Sequence, residues 1–323
     1  MPSVRGPVLA TIAVGDRPGT AAVGAGAVWV PNTGAGTVSR IDPSTNRVVQ
    51  TVRVGDAHDF YTRVCEPYGS VHSFMGTTFN IRRCDLPSAV APGQGTVWIT
   101  RNDQQSVVGV DPNGRQIASI PLGVTPLYLV VTDRALWMTS YQTDAIVRAD
   151  PASGRVVSVI REPGQGPSGI AVGEGAIWVA NSRAGTVVRI DPADNQVIAT
   201  VPIECVRVCE IGPVPLAVAT GFGAVWVRNE GNGTLSRIDP KTNRVVATLD
   251  IDAFYGRDGL DAIAVTPSAL FLSGLSLQRV DPITNRVTRL SSETAITLAY
   301  GMGSLWLTDI TGRILRIDPG QLH

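Results

Sequence analysis

Lysine is nearly absent from this chain. Lys241 stands alone beside 26 arginines, and the 27 basic residues are offset by 27 acidic ones, so the formal net charge is zero. A neutral chain carries no electrostatic footprint for nucleic acid or for an anionic membrane surface, and neither is expected as a partner. Long apolar runs are missing too: none approaches the ~18 residues that a membrane-spanning helix needs. The opening residues, MPSVRGPVLATIAVGD, lack the apolar stretch of a secretory signal. Histidine is confined to His58, His72 and His323, so no imidazole is offered between residues 73 and 322. There is no G-x-S-x-G elbow, no H-E-x-x-H pair and no phosphate-cradling glycine loop leading into a helix. The commonest hydrolase, zinc-protease and nucleotide-binding signatures are thereby excluded.

Glycine (34) and proline (22) are plentiful, the apolar fraction is 44% and the charged fraction only 17%. That balance suits a turn-rich β protein with ample material for a core. A length of 323 residues fits two ordinary domains or one large all-β domain. An internal repeat decides between them. GAVWVPNTGAGTVSRIDPSTNRVVQTVRV (26–54) and GAIWVANSRAGTVVRIDPADNQVIATVPI (175–203) are identical at 17 of 29 positions. The Asp-Pro pair recurs at 42, 111, 150, 191, 239, 281 and 318, preceded in turn by Trp29, Trp98, Trp137, Trp178, Trp226, Phe271 and Trp306. Seven units of roughly 40 residues signal a solenoid or a propeller.

Each unit divides into four short β segments; in 20–55 they are TAAVG, AVWVPN, TVSRID and RVVQTVRV, separated by Gly, Pro and Asn. Nothing between them has helical periodicity, so each unit reads as a four-stranded antiparallel blade. In the Asp-Pro turn the carboxylate accepts from the following backbone N–H groups and proline presets φ. Asn46, Gly114, Gly154, Asn195, Asn243 and Asn285 then fall where such a hairpin needs positive φ. The seventh unit ends IDPGQLH without a fourth strand, while VLATIAVG (8–15) is an orphan resembling VVATLDI and VIATVPI. The expected fold class is therefore all-β: a single seven-bladed β-propeller over 1–323, closed by the N-terminal strand completing the last blade.

The pattern W-V-x-N, then G-T-V-x-R-I-D-P-x-x-N-x-V-x-x-T, resembles the YVTN-type propeller repeat and is similar to the streptogramin B lyase-like propellers. The resemblance covers nearly the whole chain except 56–88 and 204–213. It implies the fold, but not one activity, since such families span surface-layer proteins, sensor domains, binding scaffolds and occasional lyases. The lyase resemblance implies elimination assisted by Mg²⁺, with a catalytic His and Glu on one face. This chain departs from that pattern, because its late blades hold no histidine and only His58 or His72 can stand in.

In antiparallel blades the blade-to-blade loops and the loops between second and third strands share one face, here the top. The Asp-Pro turns lie on the bottom. The bottom turns are nearly uniform from copy to copy and the top loops are not, so function is expected on top, around the mouth of the central channel. Both interruptions emerge there: 56–88 between blades 1 and 2, and 204–213 between blades 4 and 5. The longer one carries His58 and His72 among aromatic and Arg side chains, and reads as a lid supplying a general base or as an ordered cap on the blade seam. Cys65, Cys84, Cys205 and Cys209 all lie in these two segments. They read as one disulfide per insertion or as cross-links between the two; Cys205-x-x-x-Cys209 also suits a metal or redox site. Disulfides point to a secreted, periplasmic or cell-envelope protein whose leader has been removed, with a cytoplasmic location as the alternative.

The ligand-binding candidates are Arg17, Arg101, Tyr128, Tyr141, Arg183, Arg228, Asp261 and Asp309. Arg101 and Arg228 stand where other copies carry small residues, and a guanidinium fork suits an anionic ligand. An inter-blade ion pair with Asp103 or Glu230 is the competing reading. If the protein is an enzyme, His58, His72 and Glu230 are the catalytic candidates for a lyase or hydrolase, and a divalent metal (Mg or Ca) is conceivable although no cofactor is evident. The expected function is an extracytoplasmic, monomeric propeller binding a small molecule, peptide or glycan on its top face.

Overall fold

The structure is a computed structural model. It describes residues 8–55, 87–102, 104–161, 164–206, 211–251, 262–274, 276–291, 297–309 and 311–322, with the backbone of 66–72 and 78–83. Seven four-stranded antiparallel sheets follow one another along the chain. Blade 1 comprises Ala22–Gly24, Ala27–Asn32, Thr37–Asp42 and Arg47–Arg53, from the innermost strand outward. Blades 2 to 6 repeat this order over 90–121, 129–161, 167–202, 215–250 and 263–289. Blade 7 has only Thr297–Gly301, Ser304–Thr308 and Arg313–Ile317 of its own. Its outer strand is Val8–Ala13, antiparallel to Arg313–Ile317. The propeller and its closure are as the repeat implied. A hairpin, Glu66–His72 with Thr78–Arg83, lies between blades 1 and 2 in chain order.

The strands differ in burial for a plain reason. A second strand such as AVWVPN is buried at every position because blades cover both of its faces. An outer strand such as RVVQTVR alternates, since only one of its faces packs.

Seven apolar clusters form the core, and each spans the seam between two adjacent blades. Trp29 sits with Val97, Ile99 and Val108 at the seam of blades 1 and 2. Trp226 sits with Leu270, Leu272 and Val280 between blades 5 and 6, and Phe271 with Leu305 and Leu315 between 6 and 7. Trp306 meets Val28, Val30 and Ile41 between blades 7 and 1. The aromatic of each repeat therefore fills the gap to the following blade, which is why it recurs.

A polar staple accompanies it on the bottom face. Arg189 lies over its cross-strand neighbour Trp178, 5.3 Å from the ring centroid. Its Nη1 donates to Pro240 O (2.7 Å) and Asn243 Oδ1 (3.1 Å) in the turn of the next blade. Arg148 reaches Asn195 (2.7 Å), Arg237 reaches Asn285 (3.1 Å) and Arg316 reaches Asn46 (2.9 Å) in the same way. The turn asparagines have φ of 54°, 66°, 54° and 59° at 46, 195, 243 and 285, so each meets the backbone demand and also serves as acceptor. Blade 2 has Gly109 in place of the arginine, and the turn it faces carries Gly154 instead of asparagine.

The outer edges have a further regularity. In six blades the outer strand bulges at one residue: Leu9, Val49, Ile117, Val157, Ile198 and Val246, each 49–57% exposed. A bulge twists an edge away from pairing with another chain. Blade 6 pairs in straight register, and its outer strand is only Val287–Arg289.

Candidate functional site

The top loops between second and third strands are built on a shared frame. Asn32 is fully buried and its Nδ2 donates to Thr37 Oγ1 (3.0 Å) and Ser39 Oγ (2.9 Å). Asn229 makes the same pair of bonds with Thr234 (3.0 Å) and Ser236 (2.8 Å). These asparagines hold the loops in shape. What varies is the four or five residues they frame.

In blade 3 that segment is Tyr141-Gln142-Thr143-Asp144, and it meets Arg183 of blade 4. The Arg183 guanidinium lies over the Tyr141 ring, 4.7 Å from its centroid. Its Nη2 donates to Asp144 Oδ1 (2.5 Å) and Tyr141 O (3.3 Å). Asp144 Oδ1 also accepts the Gly166 N–H at 2.7 Å, so one carboxylate ties the loop to the chain leading into blade 4. The side chains of Arg183 and Asp144 are 42% and 37% exposed, so the pair is presented to solvent.

Asp144 has φ +48°. The corresponding positions in five other copies are Gly36, Gln105, Gly185, Gly233 and Gly312, all at positive φ, and four of the five are glycine. A side chain in this region costs about 1 kcal/mol relative to glycine. A carboxylate here is thus held against the local backbone preference, at a position that the sequence reading did not single out. The signal was present as an aspartate where most copies write glycine.

The other candidates are placed as follows. Arg228 is fully buried, its Nε bonded to Glu230 Oε1 and its Nη1 to Ser273 O of blade 6. It lies two residues beyond Trp226 on the same strand, so it shares the face that packs into the seam. Glu230 is 4% exposed. The expected ion pair with Glu230 is therefore present, but it lies within blade 5, and the bond that crosses to blade 6 is the one to the Ser273 carbonyl. Arg101 pairs with Ser106, the register position that Asn32, Asn181 and Asn229 hold in three other blades, while blade 3 carries the small residue Ser140 there. Asp103 lies outside the described residues. Arg17, at φ +49°, offers its carbonyl to Thr33 N (2.9 Å) and Thr33 Oγ1 (2.7 Å). Tyr128 is half-buried against the cluster containing Trp137 and Ile146. Asp309 closes its own loop, accepting from Thr311 N (2.9 Å) and pairing with Arg313 Nη2 (2.7 Å).

His58, Asp261, Cys65, Cys84 and Cys209 lie outside the described residues, and of His72 only the backbone is described. Among the described residues no three His, Cys, Asp or Glu side chains come together as a metal site. An open recess of about 460 Å³ lies on the outer strands of blades 4 and 5, lined by residues such as Val201, Pro202 and Val246. It sits on the circumference, apart from the loop pair of blades 3 and 4.

With seven blades and their closure in place, the comparison with solved structures is direct. The streptogramin B lyase structure is similar with a TM-score of 0.68 at 17% identity, over 94% of this chain and 93% of that one. The chain shares that propeller fold. The hydrazine synthase of Kuenenia stuttgartiensis is similar too, with a TM-score of 0.69 at 14% identity, over 94% of this chain and 96% of that one. No family model and no curated protein matches the sequence. At such identities the propeller likeness is one of fold alone.

Proposed function

We propose that the protein is a ligand-binding propeller whose recognition surface is the top face, centred on the loops of blades 3 and 4. The observation that carries this reading is the Tyr141–Asp144–Arg183 group: an exposed guanidinium stacked on a partly exposed ring, oriented by a carboxylate at positive φ. Residues held in such backbone regions cluster at functional sites. A fixed Arg on an aromatic ring also binds without first losing side-chain freedom.

The test is a binding screen of defined peptides, glycans and small carboxylates by saturation-transfer NMR, repeated on Tyr141→Ala and Arg183→Ala. A ligand of the native protein that weakens at least tenfold in both variants supports the reading. A ligand that binds all three proteins equally overturns this location.

The lyase alternative has the fold likeness behind it and little else. Its carboxylate candidate, Glu230, is enclosed with Arg228. The described residues bring no three His, Cys, Asp or Glu side chains together. An extracytoplasmic location belongs to the same proposal. Its support is that Cys205, the one cysteine among the described residues, has no free thiol. Alkylation of the unreduced protein, followed by intact mass, is expected to add nothing; labelled cysteines would remove this support.

A further inference from the structure

The Tyr141–Asp144–Arg183 group also bears on what kind of ligand fits. An arginine alone on the top face would suit a carboxylate or phosphate. Here, however, the guanidinium already has a carboxylate oxygen 2.5 Å away, so the local charge is balanced and an incoming anion would meet Asp144 as well. What remains on offer is directional. Among the described residues, Nε and Nη1 of Arg183 and Oδ2 of Asp144 have no protein partner, while Nη2 and Oδ1 are spent holding the pair together. Donors and an acceptor therefore stand side by side at one exposed place. Around them are the exposed Gln142 and Gln165, which add amide donors and acceptors, and the partly exposed ring of Tyr141.

We infer that this group is a carbohydrate subsite, recognising neighbouring hydroxyls of a neutral sugar. Adjacent hydroxyls each donate and accept. One pair of them can accept from the guanidinium and donate to the carboxylate at once, with charge-assisted bonds on both sides. A neutral sugar brings no charge to be repelled by Asp144. The inference rests on the proposed top-face binding and deepens it by naming the ligand class.

The repeat itself supplies the control. Glycine occupies the Asp144 position in four other copies at φ between 62° and 81°, so Asp144→Gly relieves the backbone and leaves the loop foldable. The experiment uses three immobilised neutral polysaccharides (mannan, β-glucan, arabinogalactan) and polygalacturonate as the anionic probe. Native protein, Asp144→Gly, Arg183→Lys and Tyr141→Ala are compared, with melting temperature as the fold check. Binding of a neutral probe that falls at least tenfold in Asp144→Gly, with an unchanged melting temperature, is the expected result. Binding of polygalacturonate alone, kept or strengthened in Asp144→Gly, overturns the neutral-sugar inference while leaving the top-face reading standing. Silence of all four polysaccharides alongside a peptide ligand lost in Tyr141→Ala does the same. Neutral-probe binding indifferent to every variant overturns both.

Discussion

Arg228 shows how one departure from a repeat reshapes its surroundings. Four other copies carry Pro31, Thr100, Thr139 and Ala180 at its register position, and none brings a charge into the seam. Burying a guanidinium is tolerable only because Glu230 and the Ser273 carbonyl meet it. Removing one member leaves the other charge enclosed, so Arg228→Ala is expected to cost about 3–5 kcal/mol. The double variant Arg228→Ala/Glu230→Ser, which imitates blade 4, should regain a large share of that. Urea unfolding of the three proteins checks this, and equal losses in single and double variants would contradict it. Arg228 stood out in the sequence, but its burial follows only from counting two residues on from Trp226. Asp144 was hidden differently, because an exposed aspartate looks ordinary until its φ is known. Four of the turn aspartates titrate below their ordinary value. Asp42 is held below its ordinary 3.8 by the Ser44 hydroxyl, and Asp150 by that of Ser153. Asp239 and Asp281 are held down first by the backbone N–H groups of Lys241 and Thr284. Depressed folded values mean stability that is present above pH 3.8 and lost as pH falls through them. The melting temperature should be level down to about pH 5 and fall steeply below about 4, and Asp239→Asn should shallow that fall.

At the scale of elements, the bottom turns were legible as φ requirements but not as partners. The sequence shows that Asn243 suits positive φ; it does not show that Arg189, more than fifty residues earlier, depends on its side chain. The missing link is the blade seam, since only the propeller's closed ring sets the third strand of one blade beside the turn of the next. A clue existed, in that the arginine before Ile-Asp-Pro lapses at Gly109. The two roles separate by mutation. Asn243→Gly keeps the turn and loses one acceptor, costing about 1 kcal/mol. Asn243→Ala loses the same acceptor but has neither glycine's freedom nor asparagine's local hydrogen bonding at φ +54°, so it is roughly 1 kcal/mol worse than the glycine variant. Thermal melts of both, each against Arg189→Ala, test the order; an alanine variant no worse than the glycine one would refute the backbone share. The bulges were not legible, because an extra residue in one strand of a pair is invisible without the register of the other.

At the scale of the whole molecule, the sequence read well because seven units apply one solution: a strand buried on both faces, an aromatic into the next seam, a turn of fixed φ. The non-repeating parts read poorly for the converse reason, having no second copy against which to compare them. The ring depends on one joint of a different kind, where Val8–Ala13 completes blade 7 through chain ends and not through a hairpin. Ile12 is 5% exposed and packs with Val28, Ile41, Trp306 and Ile314 across the seam of blades 7 and 1. The Val14 N–H donates to Gly312 O at 2.8 Å. Without this strand, Arg313–Ile317 becomes an unguarded edge and the seam loses one wall. A chain lacking residues 1–13 should therefore fail to unfold cooperatively as a monomer and should associate through that edge. A permuted chain supplies the counterpart: Asp318-Pro319 continues through the Ser44-Thr45-Asn46-Arg47 turn sequence into Val8–Val14, and new termini open before Thr20. It converts the joint into the hairpin that blade 1 uses, and it should melt within a few degrees of the parent. Scanning calorimetry with light scattering distinguishes the three chains. A truncated protein that melts as a monomer at the parent's temperature would mean that the ring holds without its closing strand.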